Sequence, residues 1–150
     1  MSVEERVGDL FAAADVDAIG HGCNCAGVMG AGIAVEFKRR WPAMFEEYRR
    51  RCLDGRFGLG DVFAWPGDGL VVYNLGTQRT KGTKATLDAV ATATERMLRD
   101  AAERGVTVIG LPRIGAGLGG LPWPAVRGRL VEVASDGAVR LIVHTLPDAR

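Results

Sequence analysis

The sequence has few cysteines and little excess charge of either sign. Its three cysteines, Cys23, Cys25 and Cys52, are an odd number, and no apolar leader opens the chain. Both features predict a reducing, cytoplasmic setting without a disulfide framework. Nineteen basic residues oppose 18 acidic ones, so no overall field favours nucleic acid or acidic membranes. Since no apolar run has membrane-spanning length, we expect no membrane association, and any anionic ligand must be held locally.

Metal-ligating residues are also scarce. His21 and His144 are the two histidines. Cys23 and Cys25 lie close to His21, but Cys-x-Cys is not the spacing of a zinc knuckle. We expect cysteines buried in a strand, and we predict no metal and no cofactor. His144 lies in the last apolar segment, where a core histidine with satisfied hydrogen bonds is the expected outcome.

The sequence does contain a regular alternation of short apolar runs and helical patterns. Its 150 residues and 47% apolar content fit a single domain over residues 1–150. The alternation predicts an α/β fold, a three-layer α/β/α sandwich with a central mixed sheet of about six strands. We predict strands at 3–7, 17–22, 61–65, 70–75, 106–111 and 139–146, and helices at about 30–38, 42–52, 84–104 and 124–134.

Two glycine-rich segments, residues 30–33 and 115–120, each lie beside a predicted strand end and helix start. Glycine lets the backbone approach a ligand closely, and unblocked N–H groups at such a position attract phosphate oxygens. The pair therefore predicts an anion cradle. Ligands of open α/β sheets bind at the carboxyl ends of the strands. Four segments are predicted to meet there: Asp9, residues 24–33, residues 77–79 and residues 113–120.

Four motifs within these segments resemble those of macrodomains, and they occur in the same order. They are Gly8-Asp9-Leu10-Phe11, His21-Gly22-Cys23-Asn24, Met29-Gly30-Ala31-Gly32-Ile33-Ala34 and Pro112-Arg113-Ile114-Gly115-Ala116-Gly117-Leu118. The resemblance covers residues 3–146. It is strongest to the branch containing terminal ADP-ribose protein glycohydrolase and the DNA-deribosylating antitoxins. It implies that the chain binds ADP-ribose, with the diphosphate held between two ribose sites.

The resemblance also implies roles for individual residues. Asp9 would accept a hydrogen bond from the adenine amino group, beside backbone contact from Leu10, and Asn24 would reach the distal ribose. The two glycine loops would enclose the diphosphate. Each feature has a simpler reading, because Asp9 and Asn24 are common turn residues and a glycine loop can merely join a strand to a helix. The predicted binding set is Asp9, Leu10, Asn24, Met29, Gly30, Ala31, Gly32, Ile33, Thr77, Arg113, Ile114, Gly115, Ala116, Gly117 and Leu118.

The chain departs from the family pattern at two catalytic positions. Where the terminal glycohydrolase type has a nucleophilic lysine and an assisting acid, this sequence has Gln78 and Gly119. Glutamine is not an amine nucleophile and glycine has no carboxylate, so a lysyl intermediate at that position is excluded. Lys81 and Lys84 lie nearby. A shifted loop would be needed to deliver either one, and Lys84 is expected to face solvent on the following helix.

We therefore predict a mono-ADP-ribosyl hydrolase that releases ADP-ribose from modified acidic side chains by a lysine-independent attack of water. Asn24 and Gln78 are its candidate catalytic residues. Two alternatives stay open: a non-catalytic reader of ADP-ribose, and an ADP-ribose 1″-phosphate phosphatase. The expected partner is ADP-ribose or an ADP-ribosylated protein, bound by a monomer. Basic residues at 38–40 and 49–51 are interpreted as solvated helix faces and not as a nucleic-acid site, and Trp123 as an anchor for the second glycine loop.

Overall fold

A mixed sheet forms the centre of the fold in the computed structural model, which describes residues 2–67 and 69–147. Within these residues the six strands are β1 (Val3–Val7), β2 (Ala18–Asn24), β3 (Val62–Pro66), β4 (Val71–Gln78), β5 (Val108–Leu111) and β6 (Arg140–Thr145). They lie in the order β1-β6-β5-β2-β4-β3. Only the outer β3–β4 pair is antiparallel. The predicted mixed sheet of about six strands is confirmed.

Helices cover both faces of this sheet, so the predicted three-layer sandwich is also confirmed. The helices are α1 (Ala34–Arg40), α2 (Pro42–Leu53), α3 (Leu87–Arg104) and α4 (Trp123–Val133). On one face α3 and α4 pack through residues such as Met97 and Leu130. On the other face α1 and α2 pack through Phe37, Met44 and Tyr48. None of the helices among the described residues combines the length and apolarity that crossing a bilayer requires.

The ends of α3 follow from local sequence. The Thr86 side chain accepts a hydrogen bond from the Ala89 N–H and so satisfies one of the free donors at the helix start. At the other end Gly105 has a φ of +77°, a left-handed conformation that ends the helix at little steric cost. Pro42 begins α2, as predicted, because its missing N–H is not needed in a first helical turn.

Several boundaries differ from the prediction in ways that affect the site. The first helix begins at Ala34 and not near Gly30, because Gly32 has a φ of +62° and cannot continue an α-helix. Strands β2 and β4 run further than predicted, to Asn24 and Gln78. Strand β5 starts only at Val108, where the Asp17 carboxylate accepts hydrogen bonds from the N–H groups of Thr107 and Val108.

The sheet places five strand ends at one edge. Strands β1, β6, β5, β2 and β4 are mutually parallel along the sheet order, so their carboxyl ends all lie on the same side. The segments that follow these strands must therefore meet there, as the sequence predicted. A further segment follows β6, which the sequence analysis did not include.

Candidate functional site

A continuous depression follows the carboxyl edge of the sheet and has three parts. The Asp9 lobe, about 380 Å³, is lined by Asp9, Leu10 and Phe11 among others. The central cleft, about 600 Å³, lies between residues 31–34 and 112–119. The Asn24 lobe, about 150 Å³, is lined by residues including Asn24. The volumes of the Asp9 lobe and the central cleft fall in the range of small-molecule sites.

The parts share walls and so form one site. His144, Leu146 and Ile33 border both the Asp9 lobe and the central cleft, while Gln78 and Leu118 border both the cleft and the Asn24 lobe. The structure therefore brings all the predicted site residues together. Asp9 and Leu10 line the Asp9 lobe; Ala31, Gly32, Ile33, Thr77, Arg113, Ile114, Gly115, Ala116, Gly117 and Leu118 line the cleft; Asn24, Met29, Gly30 and Gln78 line the Asn24 lobe.

Asp9 acts as a cap and also lines a lobe. Its Oδ1 accepts a hydrogen bond of 3.0 Å from the Phe11 N–H, which starts a single 3₁₀ turn over Leu10–Ala12. The preceding residue, Gly8, donates its N–H to the Thr145 carbonyl at 2.8 Å and ties this turn to the end of β6. The capping bond uses one carboxylate oxygen and leaves the other able to accept a hydrogen bond from a ligand.

Asn24 braces the first glycine-rich loop. Its Oδ1 accepts from the Ala26 N–H at 3.0 Å and from the Tyr48 hydroxyl at 2.9 Å, and its Nδ2 donates to the Val28 carbonyl at 2.9 Å. Tyr48 is fully buried, and burial raises the pKa of its hydroxyl, so it acts only as a neutral donor here. The turn interpretation and the binding interpretation of Asn24 are therefore compatible, because one side chain shapes the loop and lines the lobe.

The two glycine loops approach each other across the cleft. A Cβ added to Gly32 would lie 3.0 Å from Leu118 Cδ1 of the opposite loop, and Gly32 has a φ of +62°, so both the contact and the backbone conformation favour glycine here. Backbone hydrogen bonds hold the second loop, since the Leu121 N–H donates to the Gly115 carbonyl and the Ala85 N–H, from the segment before α3, donates to the Gly119 carbonyl, both at 2.9 Å.

The longer β2 and β4 place the two candidate catalytic residues side by side. Asn24 pairs with Gln78 in the strand register, after an irregularity between Cys23 and Asn24. Gln78 is 9% exposed, and its Nε2 donates to the Thr80 carbonyl at 2.8 Å. Its amide oxygen is thereby left as the group that can act on a ligand.

The loops that border the site determine where Lys81 and Lys84 lie, and they leave no room for an acidic side chain at position 119. Lys81 lines the Asn24 lobe together with Gln78. Lys84 instead packs beside Gly120, whose added Cβ would lie 3.4 Å from the lysine Cγ. At Gly119 a Cβ would lie 2.6 Å from the Gly115 carbonyl oxygen, so this loop conformation cannot hold an acidic side chain at the family's position.

Arg113 and Trp123 form one wall of the central cleft. The Arg113 guanidinium lies 5.4 Å from the Trp123 ring centre and 3.9 Å from the Glu5 carboxylate. Trp123 donates its indole N–H to Glu5 at 3.0 Å and packs, partly buried, against the core. These contacts are those of an anchor, as expected, although the residue also borders the cleft.

The floor beneath the site is uncharged. His21 is fully buried, stacks on Phe37 at 3.7 Å and hydrogen bonds through Nε2 to Asn74 Oδ1 at 2.8 Å. Burial lowers its pKa to about 4. Burial also raises the pKa of Cys23, and raises that of Cys25 to about 11. These thiols are protonated at neutral pH, which disfavours them as nucleophiles.

One residue of the site differs from its prediction. His144 was expected to have satisfied hydrogen bonds, but its Nε2 has no partner in the part of the chain that the structure describes. The residue borders both the Asp9 lobe and the central cleft. The parallel order of β6 in the sheet determines this position, and a single sequence does not reveal strand order.

The cleft at the carboxyl ends of parallel strands, between two glycine loops, defines a ligand-binding α/β domain. A family model described as Macro domain matches residues 21–129. The chain therefore belongs to the Macro domain family, and the resemblance drawn from the four motifs is confirmed.

Relatives of known name support this assignment. The chain is 34% identical over 129 residues to the DNA ADP-ribosyl glycohydrolase of Mycobacterium tuberculosis, covering 83% of this chain and 36% of that protein. It is 33% identical over 139 residues to the ADP-ribose glycohydrolase OARD1 of Homo sapiens, covering 93% and 88%. The solved macrodomain of Mycobacterium tuberculosis DarG superposes with a TM-score of 0.88 at 31% identity, covering 95% and 96%. The chain thus spans about a third of the mycobacterial relative's length.

Proposed function

We propose that this chain binds ADP-ribose and hydrolyses mono-ADP-ribosylated acidic side chains, without a lysyl intermediate. One observation carries the proposal: Asn24 and Gln78 are register neighbours at one end of a cleft that has a carboxylate at its other end. The names of the human and mycobacterial relatives, both glycohydrolases, agree with it. The proposal extends to the substrate class and the mechanism, which those names do not specify.

ADP-ribose fits the three parts of the cleft with its adenine in the Asp9 lobe and its distal ribose in the Asn24 lobe. The adenine occupies the Asp9 lobe, where the second carboxylate oxygen of Asp9 accepts from the amino group. The diphosphate lies between the glycine loops, near Arg113, whose charge favours it. The distal ribose then enters the Asn24 lobe. This orientation brings its anomeric carbon to the part of the site that contains Gln78.

The reaction needs few side chains. A water molecule, oriented by the Gln78 amide oxygen, attacks the anomeric carbon of the distal ribose. The bond between that carbon and the ester oxygen breaks, and the acidic side chain leaves as a carboxylate with the bonding electron pair. The proton lost by the water passes to a diphosphate oxygen of the substrate. Rate enhancement comes from holding the water and the ribose in a reactive geometry, and a carboxylate is a good leaving group.

Lys81 lines the same lobe as Gln78. Attack by its amine on the substrate would contradict this mechanism. In the proposed mechanism its ammonium group contributes charge but forms no bond to the substrate. The mechanism therefore predicts different effects for two variants. Gln78→Met keeps the length of the side chain and removes its hydrogen bonds, while Lys81→Met removes the only amine that lines the Asn24 lobe in residues 2–67 and 69–147.

The test is release of ADP-ribose from a protein mono-ADP-ribosylated on glutamate, with binding of free ADP-ribose measured by calorimetry. We expect Gln78→Met to lower kcat about 10- to 100-fold with binding retained, and Lys81→Met to keep kcat within about threefold. Asn24→Ala should weaken binding as well, because the loop loses its brace. Loss of turnover in Lys81→Met alone would contradict a lysine-independent mechanism.

The same assay distinguishes the alternatives. Tight binding without release from any substrate would indicate a reader. Phosphate release from ADP-ribose 1″-phosphate would indicate a phosphatase. Release only from ADP-ribosylated DNA would indicate a nucleic-acid substrate, which the helices do not favour: Arg39 and Arg40 pair with Glu36, and Arg50 and Arg51 pair with Glu47.

A further inference from the structure

His144 carries an unpartnered nitrogen at the junction of two parts of the cleft. The residue is 6% exposed, and its Nε2 has no hydrogen-bond partner among the described residues. Its ring forms part of the wall of both the Asp9 lobe and the central cleft. A buried polar atom without a partner destabilises a protein, so its presence at a ligand cleft requires an explanation.

The protonation of the ring is set by its other nitrogen. Nδ1 lies 3.1 Å from the Ile142 carbonyl oxygen. A carbonyl oxygen can only accept, so Nδ1 carries the proton of the neutral ring. Nε2 is then a hydrogen-bond acceptor, and the group that pairs with it must be a donor.

Packing fixes the ring in this position. A Cβ on Gly110 would lie 2.8 Å from Leu10 Cδ1 and 3.3 Å from His144 Cε1. Both side chains therefore pack closely against the bare backbone of Gly110. The rest of the ring borders the Asp9 lobe and the central cleft, so the cleft is a side from which a partner can come.

Adenosine offers two kinds of donor to such an acceptor: the adenine amino group and the two ribose hydroxyls. The amino group is taken by Asp9 in the proposed function, on which this inference rests. The adenosine ribose joins the adenine to the diphosphate, and His144 lies where the Asp9 lobe meets the central cleft. We propose that His144 Nε2 accepts a hydrogen bond from a hydroxyl of the adenosine ribose and so makes the site selective for an unmodified ribose.

The direct test measures binding of three ligands by calorimetry near pH 8: ADP-ribose and its analogues lacking the 2′- or the 3′-hydroxyl of the adenosine ribose. We expect one analogue to bind about tenfold more weakly than ADP-ribose, the loss that follows when a buried acceptor keeps no partner. ADP-ribose carrying a 2′-phosphate, measured alongside, shows whether the 2′-position is the one recognised, because the phosphate has no proton to donate at this pH and would bind more weakly still.

Two variants distinguish hydrogen bonding by His144 Nε2 from packing of the ring. In His144→Gln the side-chain amide reaches the position of Nε2 and can replace the acceptor, whereas in His144→Asn it reaches only the position of Nδ1. We expect His144→Gln to keep the preference for the natural ribose, and His144→Asn to bind ADP-ribose and the deoxy analogue equally, within about twofold. Thermal unfolding of both variants shows whether they are folded.

The outcomes separate this inference from the proposed function. If the wild-type protein binds no ADP-ribose, the proposed function fails, and this inference fails with it. If it binds ADP-ribose and both deoxy analogues equally, only the role of His144 is overturned. An equal loss of preference in both folded variants would also overturn it, because packing would then account for the effect.

Discussion

The stability of the protein should fall in mild acid because of His21. An unfolded chain binds a proton at an ordinary histidine pKa of 6.5, whereas burial lowers the pKa of folded His21 to about 4. The unfolded state therefore binds more protons between these two values, and the free energy of unfolding falls as the pH falls through this window. At about 1.36 kcal/mol per pH unit, the full effect is on the order of 3 kcal/mol, of which about 2 kcal/mol falls between pH 7 and pH 5.

The assay is urea unfolding at pH 7 and pH 5, compared with a His21→Gln variant. Gln has no titrating group and can still donate to Asn74. Exposed carboxylates such as Glu36, whose pKa hydrogen bonds from Arg39 and Arg40 lower to about 2, lose their stabilising effect only in stronger acid, and they are present in both proteins. We expect the wild type to lose about 2 kcal/mol more than the variant. Parallel loss in both proteins would refute the argument that the His21 site stays closed to water and protons.

Three further predictions concern the glycine loops. Gly117→Val should leave stability unchanged, since no atom lies within 4 Å of an added Cβ, but should weaken ADP-ribose binding at least about tenfold by filling the cleft; Gly32→Val, with a φ of +62° and a contact to Leu118, should also lower the free energy of unfolding by about 1–3 kcal/mol. Gly119→Glu should restore no turnover and should destabilise the loop by about 1–3 kcal/mol, because its Cβ overlaps the Gly115 carbonyl. Calorimetry, denaturant unfolding and the release assay measure these effects, and a Gly119→Glu variant with faster release would contradict the last prediction.

The sequence predicts the fold well because its signals are local. Apolar runs and the caps of α3 do not depend on distant residues, and Thr86 and Gly105 mark its ends directly. The site residues could be grouped for a related reason, since parallel strands bring their carboxyl ends to one edge. Boundaries were less accurate where a distant side chain determines them, as at Val108, where the N–H is taken by Asp17 from 91 residues away.

The finer chemistry of the site was not predictable from the sequence. The pairing of Asn24 with Gln78 depends on the extra length of β2 and β4 and on an irregularity before Asn24. The unpartnered nitrogen of His144 depends on which strand lies beside β6 and on the space left by Gly110. Each of these is a relation between distant segments, which periodicity and spacing do not record.

The loops also show what accompanies Gln78 and Gly119 at the positions where the resemblance implies a lysine and an acid. The absence of a side chain at Gly119 is a requirement of the loop conformation, because the Gly115 backbone occupies the space that a Cβ at position 119 would need. Asn24 is held by three neighbours, including the buried Tyr48, and Gln78 is fixed by Thr80. A mechanism that relies on orientation benefits most from side chains whose geometry is set before the substrate binds. The braced amides therefore provide the fixed geometry that the proposed water-mediated hydrolysis needs, and the release assay distinguishes it from a reader.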